Sequence, residues 1–275
     1  MSRMFKLGAT AAMGAGPNAP FPIFTDNYIE TACMLKSLEY DTMEVHIRAP
    51  ELIDGPNLLE ACNRIGIEIS SIGTGQAYGL EGLSITSSDS IVRRNALQRL
   101  KNQLDLGNVL KCPIIIGSIR GEIGKTRTFS EVNSLMIDSM KQLADYAEKV
   151  NGEIVIEAID RFETDYLQTA EDVLAVMDFI GSDRVKVHLD TYHMNLEEQD
   201  WLKPILSCRG KLGHIHVADN RRNYPGSGLI DFSTVLKYLR EIGYDRSLTL
   251  ECYPWPDSLT ALKRGKQYLD GIMDS

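Results

Sequence analysis

What this 275-residue chain has little of narrows its function before any motif is read. Its five cysteines, Cys33, Cys62, Cys112, Cys208 and Cys252, are odd in number and widely scattered, and no CxxC pair occurs. Neither a zinc ribbon nor a disulfide framework fits that pattern, and a reduced cytosol is the simplest compartment. No run approaches the ~18 uninterrupted apolar residues that a membrane span needs. Arg3 and Lys6 flank the start of a small, mildly apolar stretch at 7–16, but Gly8, Thr10, Gly14 and Gly16 break the greasy centre of a signal peptide. A cytoplasmic chain with no membrane contact is the expectation. Positive charge is also in deficit, with 29 Lys and Arg against 38 Asp and Glu for a net −9. A protein whose affinity rests on neutralising phosphates needs the opposite balance, so nucleic acid is excluded as a partner. Neutral small molecules and metal cations fit better. Linkers, low-complexity tracts and internal repeats are lacking too, which predicts one domain over 1–275.

What is present is ordinary in amount and patterned in arrangement. Apolar residues make up 43% and charged residues 24%, enough to bury a large core. Short β-like runs recur, each followed by an amphipathic helix-like stretch. They predict strands at 5–10, 43–47, 67–72, 113–117, 153–158, 185–190, 214–218 and 248–252. Helical patterns fall between them, for example at 26–38, 91–110, 131–150, 170–180, 232–242 and 259–273. Thr25, Ser130, Thr169 and Asp231 read as N-caps, and Gly66, Gly107, Gly181 and Gly243 as left-handed helix ends. Eight such units predict an α/β fold, a single (β/α)8 TIM barrel, with an open doubly wound sheet as the alternative. In a barrel, chemistry belongs at the C-terminal ends of the strands and in the loops that follow.

The last four predicted strands each end in a potential metal ligand: Glu157, Asp190, His216 and Glu251. A carboxylate closing a β-branched or leucine-rich run is costly in a core without a partner. In a closed barrel these four strand-end groups on successive strands would converge on one point. Three carboxylates and one imidazole suit Mn²⁺, Mg²⁺ or Co²⁺ better than a structural zinc, with Mn²⁺ favoured. The plain alternative is four unrelated strand-end groups satisfied by local hydrogen bonds.

The C-terminal half resembles the xylose isomerase-like barrel superfamily, and within it the ketose 3-epimerases of the D-tagatose/D-psicose type. The matching segments are Ile156-Glu157-Ala158-Ile159-Asp160-Arg161-Phe162-Glu163, His188-Leu189-Asp190-Thr191-Tyr192-His193-Met194-Asn195 and Gly213-His214-Ile215-His216, followed by Arg222, Pro225-Gly226-Ser227-Gly228 and Glu251. The Ala218-Asp219-Asn220 and Pro-Gly-Ser-Gly-Leu-Ile-Asp runs are also similar to bacterial keto-glycoside epimerases. The resemblance implies that Glu157, Asp190, His216 and Glu251 hold one divalent metal, and that Glu157 and Glu251 double as the acid/base pair. It further implies that His193, Arg222 and Glu163 contact substrate oxygens, and that the chain forms a homo-dimer or homo-tetramer. Asp160 stands where these epimerases usually carry asparagine, and Ala218-Asp219 replaces Gly-Glu; both departures bear on substrate identity.

The implied chemistry has a physical basis. A proton next to a carbonyl becomes removable when a metal polarises that carbonyl and holds the enediolate. Inverting the carbon then needs a group on each face. An aldose–ketose or hydroxypyruvate-type isomerase and a keto-glycoside lyase share the first step and remain open. A non-catalytic sugar-binding barrel conflicts with a complete ligand set, and an endonuclease IV-like protein needs more than the five histidines present. Among weaker signals, Gly14–Ala19 nominally matches a dinucleotide fingerprint, but Pro17 and Pro20 follow and no acidic residue closes the next strand; no cofactor besides the metal is expected. His188 and His214 share a face with Asp190 and His216 by the two-residue strand period and read as a deeper layer. Glu44 and His46 share one face of their strand, with His46 within reach of the mouth. The 73–79 loop with Tyr78 and the Tyr253-Pro-Trp255-Pro stretch are candidate pocket walls.

Overall fold

The structure, a computed structural model, describes residues 4–16 and 18–273, so Arg3 and Pro17 of the stretches above lie outside the described residues. Eight parallel strands close into a barrel: β1 (Lys6–Met13), β3 (Thr42–His46), β4 (Glu68–Gly73), β5 (Ile114–Ile116), β6 (Ile154–Glu157), β7 (Val185–Asp190), β8 (Leu212–Val217) and β9 (Ser247–Leu250). Closure comes from β1 pairing with β9, with Leu7 opposite Leu248 and Ala9 opposite Leu250. The doubly wound alternative has no such closing pair, so the barrel reading holds. A short strand, β2 (Ile23–Thr25), flanks it and had no signal among the prolines at 17–22. It explains why β1 runs to Met13 rather than ending at Thr10: Ala11, Ala12 and Met13 pair with Ile23, Phe24 and Thr25.

Ten helices are described around the barrel, α1 (Tyr28–Ser37), α2 (Gly55–Ile65), α3 (Gln76–Glu81), α4 (Ser90–Leu110), α5 (Phe129–Val150), α6 (Ala170–Ile180), α7 (Thr191–Glu197), α8 (Leu202–Ser207), α9 (Phe232–Glu241) and α10 (Ser258–Met273). Thr169 and Asp231 cap α6 and α9 as expected. Two caps move. Asn27, not Thr25, accepts from Ile29 N and Glu30 N at the start of α1, because Thr25 is occupied by the Asn27 backbone N–H. Thr128, not Ser130, opens α5, where Glu131 completes a reciprocal capping box. Gly66 and Gly181 are left-handed helix ends and Gly243 also has positive φ. Gly107 instead lies inside α4, whose left-handed end is Lys111. A Cβ at Gly107 would come within 2.8 Å of the Cys112 carbonyl oxygen, so close packing explains that glycine.

The strands bury both faces. Met43, Val45 and Ile47, Ile154 and Ile156, Val187 and Leu189, Ile215 and Val217, Leu248 and Leu250 point outward into one apolar layer under the helices. The alternate residues turn to the barrel axis and are largely polar: Thr42, Glu44, His46, Ser71, His188, His214, His216, Ser247 and Thr249. Contacts across the axis confirm their direction, with Thr42 on β3 bonded to Ser247 on β9 and Glu44 on β3 bonded to His214 on β8. Among the described residues no helix is long and apolar enough to cross a membrane.

Candidate metal centre and active site

Glu157 ends β6, Asp190 ends β7, His216 lies in β8 and Glu251 follows β9. Barrel closure brings one ligand atom from each to within 4.8 Å of the others. His216 Nδ1 is 3.8 Å from Glu157 Oε1, 3.9 Å from Asp190 Oδ2 and 3.5 Å from Glu251 Oε2. Asp190 divides its work: Oδ1 caps α7 by accepting from Tyr192 N at 2.7 Å, while Oδ2 has no hydrogen-bond partner. His216 Nδ1 is likewise buried and unpartnered. An unsatisfied buried polar atom costs on the order of 1–3 kcal/mol, and here two of them face the same spot. A divalent cation satisfies both, and the donor set of three carboxylates and one imidazole fits a hard to borderline ion.

The two glutamates differ electrically. Burial, helped by the neighbouring Glu251 charge, pushes the Glu157 carboxyl up to about 7. Burial acts upward on Glu251 too, but His216 and the Arg222 guanidinium overcome it and hold Glu251 well below the usual carboxylate range. Arg222 Nη2 donates to Glu251 Oε2 at 2.7 Å. A bound cation would draw both carboxyls further toward ionisation.

The expected substrate contacts gather on the same side. His193 Nε2 lies 3.8 Å from Glu157 Oε1 and 3.9 Å from Asp190 Oδ2. Its Nδ1 meets Asp160 Oδ2 at 2.5 Å. Burial disfavours the His193 cation, yet the Asp190 charge and the Asp160 bond outweigh it and raise its pKa. Arg222 also donates to the more exposed Glu163. Arg222 itself sits at φ 54°, a left-handed conformation that a non-glycine residue holds only when its surroundings impose it. The Arg222 N–H donates to the Asp219 carbonyl at 2.7 Å and the Asp219 N–H to the Asn223 carbonyl at 2.8 Å, while the fully buried Asp219 carboxylate accepts from the backbone N–H groups of Asn220, Gly226, Gly228 and Ile230. A Cβ at Gly228 would lie 2.3 Å from Asp219 Oδ1, so this loop requires glycine there. Asp160 and Asp219 therefore act on His193 and on the Arg222 loop, a role the sequence reading did not assign them.

Glu157, Glu163, His193, His216, Arg222 and Glu251 line a cavity of about 290 Å³. Its far wall comes from Ala15, Gly16, Phe21, His46 and the Thr74–Gln76 turn, and Tyr78 is not part of it. Among the described residues of the glycine stretch, 14–16 and 18–19, the next element is β2 rather than a helix, so a helix-start phosphate cradle is not seen there. Trp255 stacks on Tyr224 at 6.4 Å, outside the cavity lining, which places it in rim packing. His188 and His214 form the deeper layer: the His188 ring stands edge-on to His216 at 4.2 Å, and His214 Nε2 bonds Glu44 at 2.8 Å. Burial lowers the pKa of both. Glu44 was the under-read residue. It is fully buried and surrounded by three imidazoles; burial acts upward on its pKa, but His216 and the bonds from His214, His216 and His46 hold it well below the usual range.

A closed (β/α)8 barrel with an acidic, single-histidine centre at the strand ends defines a class, and comparison with known families agrees. The family model of the xylose isomerase-like TIM barrel matches residues 34–271, and the chain belongs to that family. The L-ribulose 3-epimerase of Methylomonas sp. (strain DH-1) is 28% identical over 219 residues, 78% of this chain and 74% of that protein. The 3-dehydro-D-guloside 4-epimerase of Escherichia coli (strain K12) is 25% identical over 238 residues, covering 83% and 88%. A crystal structure of D-allulose 3-epimerase from Methylomonas sp. superposes with a TM-score of 0.80 over 99% of this chain and 100% of that one, at 22% identity, a likeness of fold.

Proposed function

We propose that this protein is a divalent-metal-dependent epimerase that inverts a carbon next to the ketone of a small keto sugar or keto-glycoside. The chain is an enzyme of the sugar-epimerase kind, as its named relatives are. The observation that carries the finer reading is the pair of unpartnered buried atoms, Asp190 Oδ2 and His216 Nδ1, set between two strand-end glutamates. When bound by Glu157, Asp190, His216 and Glu251, a divalent cation supplies polarisation of the ketone and charge stabilisation as the neighbouring proton leaves; Mn²⁺ is favoured, with Mg²⁺ or Co²⁺ as substitutes. Glu157 and Glu251 do the proton work. One carboxylate takes the C–H proton, and the other, carrying a proton, gives it to the opposite face of the flattened enediolate. Without metal, burial favours the protonated form of Glu157 while His216 and Arg222 hold Glu251 ionised, so the two carboxyls are not equivalent. His193, held by Asp160, and Arg222 orient substrate oxygens, with Glu163 fixing the guanidinium.

The test is proton NMR in D₂O on metal-stripped protein with Mn²⁺ or Mg²⁺ restored, offering ketohexoses, ketopentoses and 3-keto-glycosides. Metal-dependent deuterium incorporation next to the carbonyl, with inverted product configuration, is the expected result. Exchange that yields an aldose or an eliminated product instead would replace epimerisation by isomerisation or lyase chemistry. No exchange with any candidate, despite metal binding, would end the reading.

A further inference from the structure

The barrel interior holds a carboxylate that none of the proton or substrate steps uses. Glu44 on β3 has no exposure to solvent, and four donors crowd its two oxygens. His46 Nε2 reaches Oε1 at 2.7 Å; Ser71 Oγ and His214 Nε2 reach Oε2 at 2.5 and 2.8 Å. The fourth is His216, whose Nε2 lies 3.1 Å from Oε1 and 3.0 Å from Oε2. A carboxylate has about four lone-pair positions and no proton to offer, so this ring of partners fills its capacity and requires each to donate.

For His216 that requirement decides which nitrogen is free. If Nε2 carries the hydrogen toward Glu44, a neutral imidazole presents its lone pair at Nδ1. Nδ1 is the buried, unpartnered atom that faces Glu157, Asp190 and Glu251. The opposite tautomer would set a lone pair against the Glu44 carboxylate and leave no lone pair at Nδ1 for a cation, and the doubly protonated ring must give up its Nδ1 hydrogen before it can ligate. We propose that Glu44 is the positioning residue of the metal centre: it locks His216 in the Nε2–H tautomer, so that Nδ1 is the ligand atom. Partners of this kind raise the basicity of a ligating histidine and fix its ring, and their loss typically weakens metal binding about 10- to 100-fold. The inference rests on the metal site proposed above but makes a separate statement about it. Glu44 stands outside the four proposed ligands and outside the cavity lining, and in this proposal it acts through His216.

Metal-stripped full-length protein would be titrated calorimetrically with MnCl₂, comparing wild type with Glu44→Gln. The glutamine amide must donate where the carboxylate accepted, which sets N–H against N–H unless a histidine changes tautomer. The expected outcome is an Mn²⁺ Kd raised roughly 10- to 100-fold in a variant whose circular dichroism matches wild type. A purely structural Glu44 would lower Tm yet leave the Kd of the folded variant within about threefold, and that result would overturn the proposal. Wild type that fails to bind Mn²⁺ would instead remove the metal-site reading, and this inference with it. Should Glu44→Gln fail to fold, ¹⁵N-histidine NMR of wild type with Zn²⁺ as a diamagnetic stand-in decides the matter. The proposal requires His216 to keep a slowly exchanging, downfield Nε2–H and to lose the hydrogen at Nδ1. A ring ligating through Nε2, or an Nε2–H open to rapid exchange, would overturn it.

Discussion

The two faces of each barrel strand have been given to different work. On β7 the outward residues Val185, Val187 and Leu189 join the apolar layer beneath the helices, while His188 and Asp190 turn to the axis. The same split recurs on β8, with Ile215 and Val217 outward and His214 and His216 inward, and on β9 with Leu248 and Leu250 against Ser247 and Thr249. TIM-barrel interiors are usually filled by layers of branched apolar side chains. Here the interior is a column of hydroxyl, imidazole and carboxylate groups running up to the proposed metal ligands. Stability is therefore concentrated outside the strands and chemistry inside, and a one-residue step along a strand should change which of the two a substitution damages.

The strongest test of that division lies at the strand ends. Glu157→Gln and Glu251→Gln should each lower turnover by about 10²–10⁴-fold, the range for losing a general acid or base, with Tm near wild type for Glu157→Gln and lower for Glu251→Gln, which takes the buried charge partner from Arg222. Because both belong to the proposed ligand set, Mn²⁺ affinity must be measured alongside the rate. Retention of turnover in either variant with metal bound would remove that residue from the proton path. On the outward face, Leu189→Ala should do the reverse. It opens a cavity in the fully buried layer and should cost roughly 2–5 kcal/mol in denaturant unfolding, while the folded fraction keeps its kcat. A collapse of kcat in that variant well below its Tm would show that the faces are not independent.

Much of this arrangement is legible in the sequence, and what is not has identifiable reasons. Glu157, Asp190 and Glu251 stand out because each closes a branched or leucine-rich run, where a polar group needs explaining, and His216 because it lies in the matching Gly213-His214-Ile215-His216 segment. Glu44 does not: in Thr-Met-Glu-Val-His it alternates with apolar residues as any half-exposed strand would, and only closure of the barrel turns its polar face inward. Asp160 and Asp219 sit beside recognisable motifs, so they read as substrate residues. Each also accepts from a nearby amide, Phe162 N for Asp160 and Asn220 N for Asp219, but the partners that matter to the site are an imidazole 33 positions away and backbone amides 7 to 11 positions on, which no local pattern reports. The strand β2 is three residues long and follows prolines, so no period marks it. The caps at Asn27 and Thr128 lie two residues from those expected, a displacement set by local side-chain bonds rather than by hydrophobic period.

Between the two extremes lies Asp190, an inward residue whose charge the apo protein does not fully use. Its Oδ2 faces Glu157 and Glu251 with no donor of its own. Asp190→Asn keeps an oxygen that can cap α7 while removing one of the crowded charges. The apo variant should unfold at or slightly above the wild-type Tm, a sign opposite to that of Leu189→Ala. What it should lose is the response to metal: at Mn²⁺ near 100 times Kd, wild type gains about 2.7 kcal/mol by mass action, and the variant should gain little. A large fall in apo Tm would mean that Asp190 is structural first, through the α7 cap, and would blur the contrast between the faces.

His46 offers the smallest and most discriminating effect. It lies on the inward face, is buried, and lines the cavity, yet it belongs outside the set of four expected ligands. Its ring is held between Phe21, with centroids 4.2 Å apart, and Gly73, where a Cβ would come within 2.4 Å of the ring atoms. Nε2 is committed to Glu44 Oε1, which leaves Nδ1 as an acceptor for a substrate hydroxyl. His46→Ala should therefore raise KM by the worth of one neutral hydrogen bond, about 0.5–1.5 kcal/mol or roughly 2- to 12-fold, with kcat and Mn²⁺ affinity little changed. Its Nε2 is also 3.9 Å from Glu251 Oε1. If kcat falls more than KM rises, His46 is tuning the acid/base glutamate rather than reading the substrate, and the inward face divides once more, into residues that hold the sugar and residues that hold the proton.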